Sequence, residues 1–471
     1  MRQPSTTTLL IKNGILVTPQ GIIEADLLAQ GEHIKAIGRG LPAAHDTHVL
    51  DASGCYVLSG VIDSHTHIQL NTGIYRTPDD WFAGTRAAAC GGVTTVIDFA
   101  TQFAGQSLRE AVEARLEEAQ KAVIDYGFHV MVTDLPPGRE GELAELIELG
   151  TPSVKLYTTY RIKEKRSGSY RPNYYADDAT ILRLMETCAD LGLLPLVHCE
   201  NDALVTAQTE ALVAAGETGW RYHGRSRPAL AEQEAIQRVL FLAEAAGCPV
   251  HICHCSTARS VALVAEARDE GQRATCETCP QYLLLDDTLY EGPEPWRYIL
   301  QPPLRDPWNP ASLWMLVENE TVDSIVTDHC DYTEAQKTAQ DDFTQTPGGL
   351  PGLETLLPLM YTYGVVKGEL TLPRLAMLLS TNPARLWGLW PRKGALLPGA
   401  EADIVVYDPV PESVVNIENS HHLAGYTPYE GMKVQGRVEA TISRGQIIYR
   451  EGQFTGQKGR GRFVERKRVD E

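Results

Sequence analysis

From residue 8 to residue 50 apolar and polar positions alternate, as in Leu9-Leu10-Ile11 and Ile34-Lys35-Ala36-Ile37, with turn signals at Asn13-Gly14 and Gln20-Gly21. That texture predicts short antiparallel strands. It returns in Ala402 to Tyr407 and in Val438 to Tyr449, where Arg444-Gly445 supplies a hairpin turn. Strands from the two chain ends can then pair into one small β-sandwich domain. Between them the rhythm changes to apolar runs of about five residues, each followed by a longer helical pattern, the mark of parallel β/α units. Strands are expected near 57–63, 93–98, 127–132, 152–157, 194–198, 249–254, 272–276 and 323–327. Eight such units predict an α/β fold, a closed (β/α)8 TIM-like barrel over 57–390, with 1–56 and 391–471 forming the β-sandwich domain and a tail. Ser107 and Asp177 stand where helix N-caps belong, and the Gly/Pro-rich loops 135–141, 292–310 and 346–352 are candidates for the active-site rim.

The chain has 471 residues, 43% hydrophobic and 22% charged, enough for one large catalytic domain plus a smaller one. A formal charge of -19 repels polyanions and argues against a nucleic-acid partner. The one basic stretch, Lys458 to Arg468, reads as a solvated tail, with contact to a neighbouring subunit as the alternative. The opening MRQPSTTTLLIKNG lacks the apolar core of a signal peptide, and no run of about 18 apolar residues is present to span a membrane. Ten irregularly spread cysteines fit reduced thiols in a cytoplasmic enzyme. Cys276 and Cys279 form an isolated C-x-x-C with no second pair at zinc-ribbon spacing, which argues against a structural zinc site.

The strongest chemical signal is Asp63-Ser64-His65-Thr66-His67, directly after an apolar run. Residues two apart on an extended strand share a face, so His65 and His67 can present both imidazoles to one metal ion. Two strand histidines can equally be hydrogen-bonded core residues. Three further strands, however, end in ligand-type residues: His198 in Val197-His198-Cys199-Glu200, His251 and His254 in Val250 to His254, and Asp328 in Thr327-Asp328-His329. The C-terminal rim of a barrel is where catalytic residues gather. The fourth strand ends in Ser153-Val154-Lys155-Leu156-Tyr157. An ammonium cannot bind a cation, but a desolvated lysine beside metal ions can lose its proton and take up carbon dioxide, giving a bidentate carbamate.

These residues, with GTRAAACGGVTTVIDF (84–99), SVKLYTTY (153–160), VHCEN (197–201), SRPALAEQE (226–234), TDHC (327–330), NPARLWG (382–388) and YTPYEG (426–431), resemble the cyclic amidohydrolases of the amidohydrolase superfamily, in their D-hydantoinase and dihydropyrimidinase branch. The resemblance spans essentially the whole chain. It implies that His65, His67 and Asp328 hold one metal, that His198 and His254 hold the second, and that Lys155, as N6-carboxylysine, bridges them. His251 has no counterpart role and reads as structural. Tyr160 would polarise the scissile carbonyl. Two divalent ions, zinc by donor preference with manganese or cobalt possible, would supply a bridging hydroxide, and Asp328 would act as general base and then general acid. The implied substrate is a small cyclic amide, a hydantoin or a 5,6-dihydropyrimidine, and the implied assembly is a homotetramer or dimer.

The pattern departs at the ring-binding segments. Where the family has Ser-Pro-Pro and Asn-Gly, this chain has Gln301-Pro302-Pro303 and Leu350-Pro351-Gly352, so substrate contacts are expected at Gln301 and Pro351. The loop from Gly348 to Thr355 looks closer to allantoinase and dihydroorotase relatives, which stay open as alternatives. A dihydroorotase would carry an arginine in the segment Ile68-Gln69-Leu70-Asn71, which has none. Some relatives on this fold have lost their ligands and act as scaffolds; all six ligand positions are intact here.

Overall fold

A computed structural model describes residues 8–163, 170–171 and 173–468; the first seven residues of the opening segment lie outside it. Eight parallel strands, Val61–Thr66, Val93–Thr101, Asp125–Met131, Ser153–Tyr157, Leu194–His198, Val250–Ile252, Ala274–Thr278 and Ser324–Ile325, each bond their sequence neighbours. Nearly every residue in them is buried, because a parallel sheet wrapped by helices has no solvent face and its strands must read as continuous apolar runs. A bridge between Thr66 and His329, with His67 N–H donating to His329 O at 2.7 Å, brings the eighth unit back to the first and nearly closes the barrel.

The second sheet has nine strands and is mostly antiparallel. The N-terminal strands Thr8–Thr18, Gly21–Gln30 and His33–Gly38 pair in sequence, and Tyr56–Ser59 joins them to Ile404–Val414 and Lys433–Ser443 from the other chain end. Arg444 and Gly445, at φ 44° and 70°, make the tight turn into Gln446–Arg450. The run expected as one strand over 57–63 is therefore two. Gly60 separates them, and it must be glycine: a Cβ there would meet Thr94 Oγ1 at 2.1 Å.

Helices between the barrel strands begin where short polar residues satisfy their free N–H groups. Ser107 and Glu110 form a capping box ahead of Leu108–Ala119, and Asp177 caps Asp178–Leu191. No helix among the described residues is long and apolar enough to cross a membrane.

The basic C-terminal stretch is not a solvated tail. It crosses the end of the barrel opposite the ligand-bearing rim, where Tyr126 N–H donates to Arg462 O at 2.9 Å and Val464 N–H to Tyr126 O at 2.8 Å. Phe463 stacks on Phe128. Arg466 is only 5% exposed; its guanidinium bonds Phe128 O and, at 2.7 Å, Ser153 Oγ, and burial lowers its pKa to about 9. Charge in a sequence window does not reveal that two donors are needed inside the barrel floor. Arg466→Ala should destabilise the fold by about 2–3 kcal/mol, the cost of losing hydrogen bonds from a buried charged group. A urea melt measures it, and an unshifted midpoint would mean the guanidinium contributes nothing to the floor.

Candidate active site

The four histidines, the lysine and the aspartate singled out from the sequence all line one cavity of about 360 Å³ at the C-terminal rim of the barrel. His65 and His67 leave the first strand, Lys155 sits in the fourth, His198 ends the fifth, and His254 and Asp328 follow the sixth and eighth. His254 and Asp328 have positive φ, 33° and 51°, a sparsely populated backbone that turns each side chain into the barrel mouth as its strand ends.

Two half-sites can be distinguished. In one, Asp328 Oδ1 lies 3.4 Å from His65 Nε2 and 3.2 Å from His67 Nε2. In the other, His198 Nδ1 and His254 Nε2 face each other at 3.1 Å. The rings of His65 and His254, 5.3 Å apart, connect the two.

Carboxylates behind the histidines set their tautomers. Glu277, at the end of the seventh strand, is in close contact with His65 Nδ1, lies 3.1 Å from His251 Nε2 and accepts from the His254 N–H at 3.3 Å. His198 Nε2 is 2.9 Å from Glu200 Oε2, which also pairs with Arg227. Burial alone would raise the pKa of Glu200, but Arg227 and His198 outweigh it and hold it at about 2. Burial also keeps His65, His198 and His254 below the usual histidine range, so they are neutral imidazoles near pH 7. Each then has one N–H. Where that proton points at Glu277 or Glu200, the inward nitrogen of His65 or His198 carries a lone pair.

The donor chemistry fits cations. His65 Nε2 is buried and has no hydrogen-bond partner, and its lone pair faces a carboxylate oxygen. Two electron-rich atoms at that separation repel unless a positive ion lies between them. Asp328 is itself ionised: burial pushes its pKa up, but the hydrogen bond with His67 and the Lys155 charge bring it below the ordinary carboxylate value. Lys155 is fully buried and makes no ion pair among the described residues. Its Nζ is 2.9 Å from Cys253 Sγ and faces the rings of Phe99 and Tyr157. Carbon dioxide would convert this buried amine into an anion suited to join two cations.

The model of the amidohydrolase family matches residues 56–448. The chain belongs to the amidohydrolase family. D-phenylhydantoinase of Escherichia coli O1:K1 is 40% identical over 466 residues, 98% of each chain. Among solved structures, dihydropyrimidinase from Brevibacillus agri NCHU1002 is 38% identical with a TM-score of 0.93, covering 98% of this chain and 99% of its own. D-hydantoinase from a Bacillus sp. AR9 is 37% identical, also with a TM-score of 0.93, over 98% and 99%. Divalent metal ions and a carboxylated lysine are general in this family, in keeping with the donor set here.

Around these donors the rim matches the sequence expectation only in part. Tyr160 lines the cavity at φ 79°, with the Arg227 guanidinium 5.3 Å from its ring, and burial raises its pKa, so its phenol keeps the proton. Gln301 lines the cavity as well. Pro351 does not; the same loop presents Gly348, Gly349 and Leu350 instead. Gly348 lies so close to Gln301 that a Cβ there would be 1.8 Å from Gln301 Oε1. The loop 135–141 contributes no lining residue, while 300–301 and 347–350 do. Leu70, Ile74, Tyr174 and Tyr332 form an apolar outer wall, and Arg161, the arginine that lines the cavity among the described residues, is paired with Asp202 at 2.5 Å.

His251 accounts for itself structurally, bonded to Thr275 Oγ1 at 2.8 Å and to Glu277. Cys276 and Cys279 are buried free thiols. Glu277 and Glu200 were not identified from the sequence. Glu200 stands two residues after His198 and could have been found by the same-face rule; Glu277 lay hidden inside the C-x-x-C.

Proposed function

We propose that this amidohydrolase opens a cyclic amide ring of the hydantoin or 5,6-dihydropyrimidine type. The carrying observation is the unprotonated His65 Nε2 facing the ionised Asp328, an arrangement that calls for a cation. His65, His67 and Asp328 would hold one divalent ion, His198 and His254 the other, and Lys155 as its carbamate would bridge them. Imidazole and carboxylate donors favour zinc, with manganese or cobalt able to use the same set. Such ions lower the pKa of water toward neutrality and polarise a carbonyl.

Asp328 then takes the proton of the attacking water and delivers it to the ring nitrogen as the C–N bond breaks. Tyr160, protonated by virtue of its burial, donates to the carbonyl oxygen as negative charge builds there. Main-chain groups of 300–301 and 348–350 meet the ring amide, and the apolar wall accepts its substituent. Arg161, tied to Asp202, is a poor clamp for a free carboxylate, which sets dihydroorotate below hydantoins, dihydropyrimidines and allantoin.

A panel of a hydantoin, dihydrouracil, allantoin and dihydroorotate, assayed with metal-loaded protein, tests the reading. Turnover of either of the first two supports it. Turnover of allantoin alone would shift the substrate, and protein that stays metal-free after metal-replete purification would favour a scaffold. Glu277→Gln removes the charge that orients His65, and should weaken metal binding or activity about 10–100-fold; titration of the metal-free variant measures this. The ten free cysteines suit a reducing compartment such as the cytoplasm, and the family likeness suggests a homo-oligomer, a tetramer or dimer.

A further inference from the structure

Lys337 is a fully buried lysine that the chemistry above does not use. It ends the short helix Glu334–Lys337, whose start is fixed by the Thr333 and Gln336 capping box. No carboxylate pairs with it among the described residues. Its Nζ donates instead to two backbone carbonyls, Ile299 O at 2.8 Å and Gly349 O at 2.7 Å.

Those carbonyls belong to the two loops that face the reacting ring. The peptide group of each continues into a lining residue, Leu300 on one side and Leu350 on the other. A cation on the carbonyl oxygens therefore fixes and polarises the peptide planes presented to the ligand. Neutral bonds hold the same loops: Gly349 N–H donates to Ile299 O at 3.0 Å, Cys330 N–H to Leu350 O at 3.0 Å, His223 Nε2 to Leu300 O at 2.7 Å and Tyr282 Oη to Pro302 O at 2.8 Å, and Tyr426 Oη reaches Gly349 O at 3.4 Å; Lys337 supplies the charged ones. There is no slack, since a Cβ on Gly349 would lie 2.4 Å from Cys330 O.

We infer that Lys337 is a positioning residue for substrate, a charged clasp that sets the spacing and orientation of the two main-chain segments recognising the ring amide. It touches neither substrate nor metal ligands, and the inference rests on the ring-opening reading above. Its surroundings give the clasp a pH dependence. Burial brings Lys337 down to about 7. The groups facing it are Cys330 on the eighth-strand loop and Tyr426 near the C-terminus, both held above their usual ranges by burial, and His223, brought down to about 3. These three stay neutral between pH 6 and 8. Asp331, at about 6, and Arg297 lie beyond, beside Tyr426.

The test uses metal-loaded full-length protein and dihydrouracil, whose ring does not ionise in this range. Lys337→Met should raise KM about tenfold or more, since two charge-assisted bonds are lost, with kcat nearly unchanged and metal content as in wild type. Lys337→Gln, which keeps a neutral donor, should fall between. In the wild type KM should climb as pH rises through about 7, because the clasp loses its charge, and in both variants it should stay flat. An unchanged KM in a metal-replete variant, or the same pH-dependent rise in Lys337→Met, overturns the inference. If Lys337→Met does not fold, seen as lost metal and a lost melting transition, Lys337→Gln carries the KM measurement. A wild type inert toward every cyclic amide overturns the ring-opening reading instead, and is distinguished from a failure of the clasp by that inactivity.

Discussion

Asp328→Asn should lower kcat on the order of 10³-fold or more, with a far smaller change in KM. The amide is nearly the shape of the carboxylate, so the cavity survives. What is lost is the base: an amide oxygen cannot accept the proton of the attacking water, and nothing then returns one to the leaving nitrogen. The environment sharpens the contrast. His67 Nε2 lies 3.2 Å from Asp328 Oδ1, and with Lys155 it holds Asp328 ionised despite its burial. Asparagine also offers a weaker metal donor, so part of the loss should be recovered at high metal concentration and part should not. Steady-state kinetics at rising metal concentration separates the two. A variant that regains full activity at saturating metal would show that Asp328 is a ligand and no more.

Much of this site was legible because barrel geometry converts sequence position into spatial position. A ligand-type residue at the end of an apolar run lands on one rim, so His65, His67, His198, His254 and Asp328 could be grouped before any coordinates were seen. Lys155 was legible by its place at a strand end and by carbamate chemistry, but its bridging role came only from resemblance, since an ammonium in isolation argues against a ligand. Glu277 was not legible: its work depends on the pairing of Val250–Ile252 with Ala274–Thr278, which sets it beside His251 and His254. Register across parallel strands is not written in either strand alone. The rim loops failed for a related reason. Proline-rich segments reveal that a loop exists but not which of its residues face inward: Gly348, Gly349 and Leu350 line the cavity and Pro351 does not. Of the fold, strand positions followed from apolar runs, whereas the break at Gly60 did not, because Ser59-Gly60 between Val57-Leu58 and Val61-Ile62 is compatible with one strand, and the close contact with Thr94 that requires glycine there is tertiary.

Lys155→Ala carries the other large effect. On the proposed ligand set, alanine would leave two cation positions with no anion between them, held by neutral imidazoles and one carboxylate. Bringing two divalent charges together without a bridge is opposed by their mutual repulsion. Loss of the pair removes several kcal/mol of transition-state stabilisation, which at about 1.4 kcal/mol per decade means a fall in turnover of at least ~10³-fold. The fold should be little affected, because Lys155 makes no ion pair among the described residues and its neighbours Phe99, Tyr157 and Cys253 can close around the smaller side chain.

The most direct measurement is the metal content of wild-type protein and Lys155→Ala, both loaded in zinc and bicarbonate and freed of unbound ion. Two ions per chain in the wild type and at most one in the variant is the expected result. Equal loading of the two proteins, or a wild type that holds no metal, would contradict the bridged pair on which the mechanism stands.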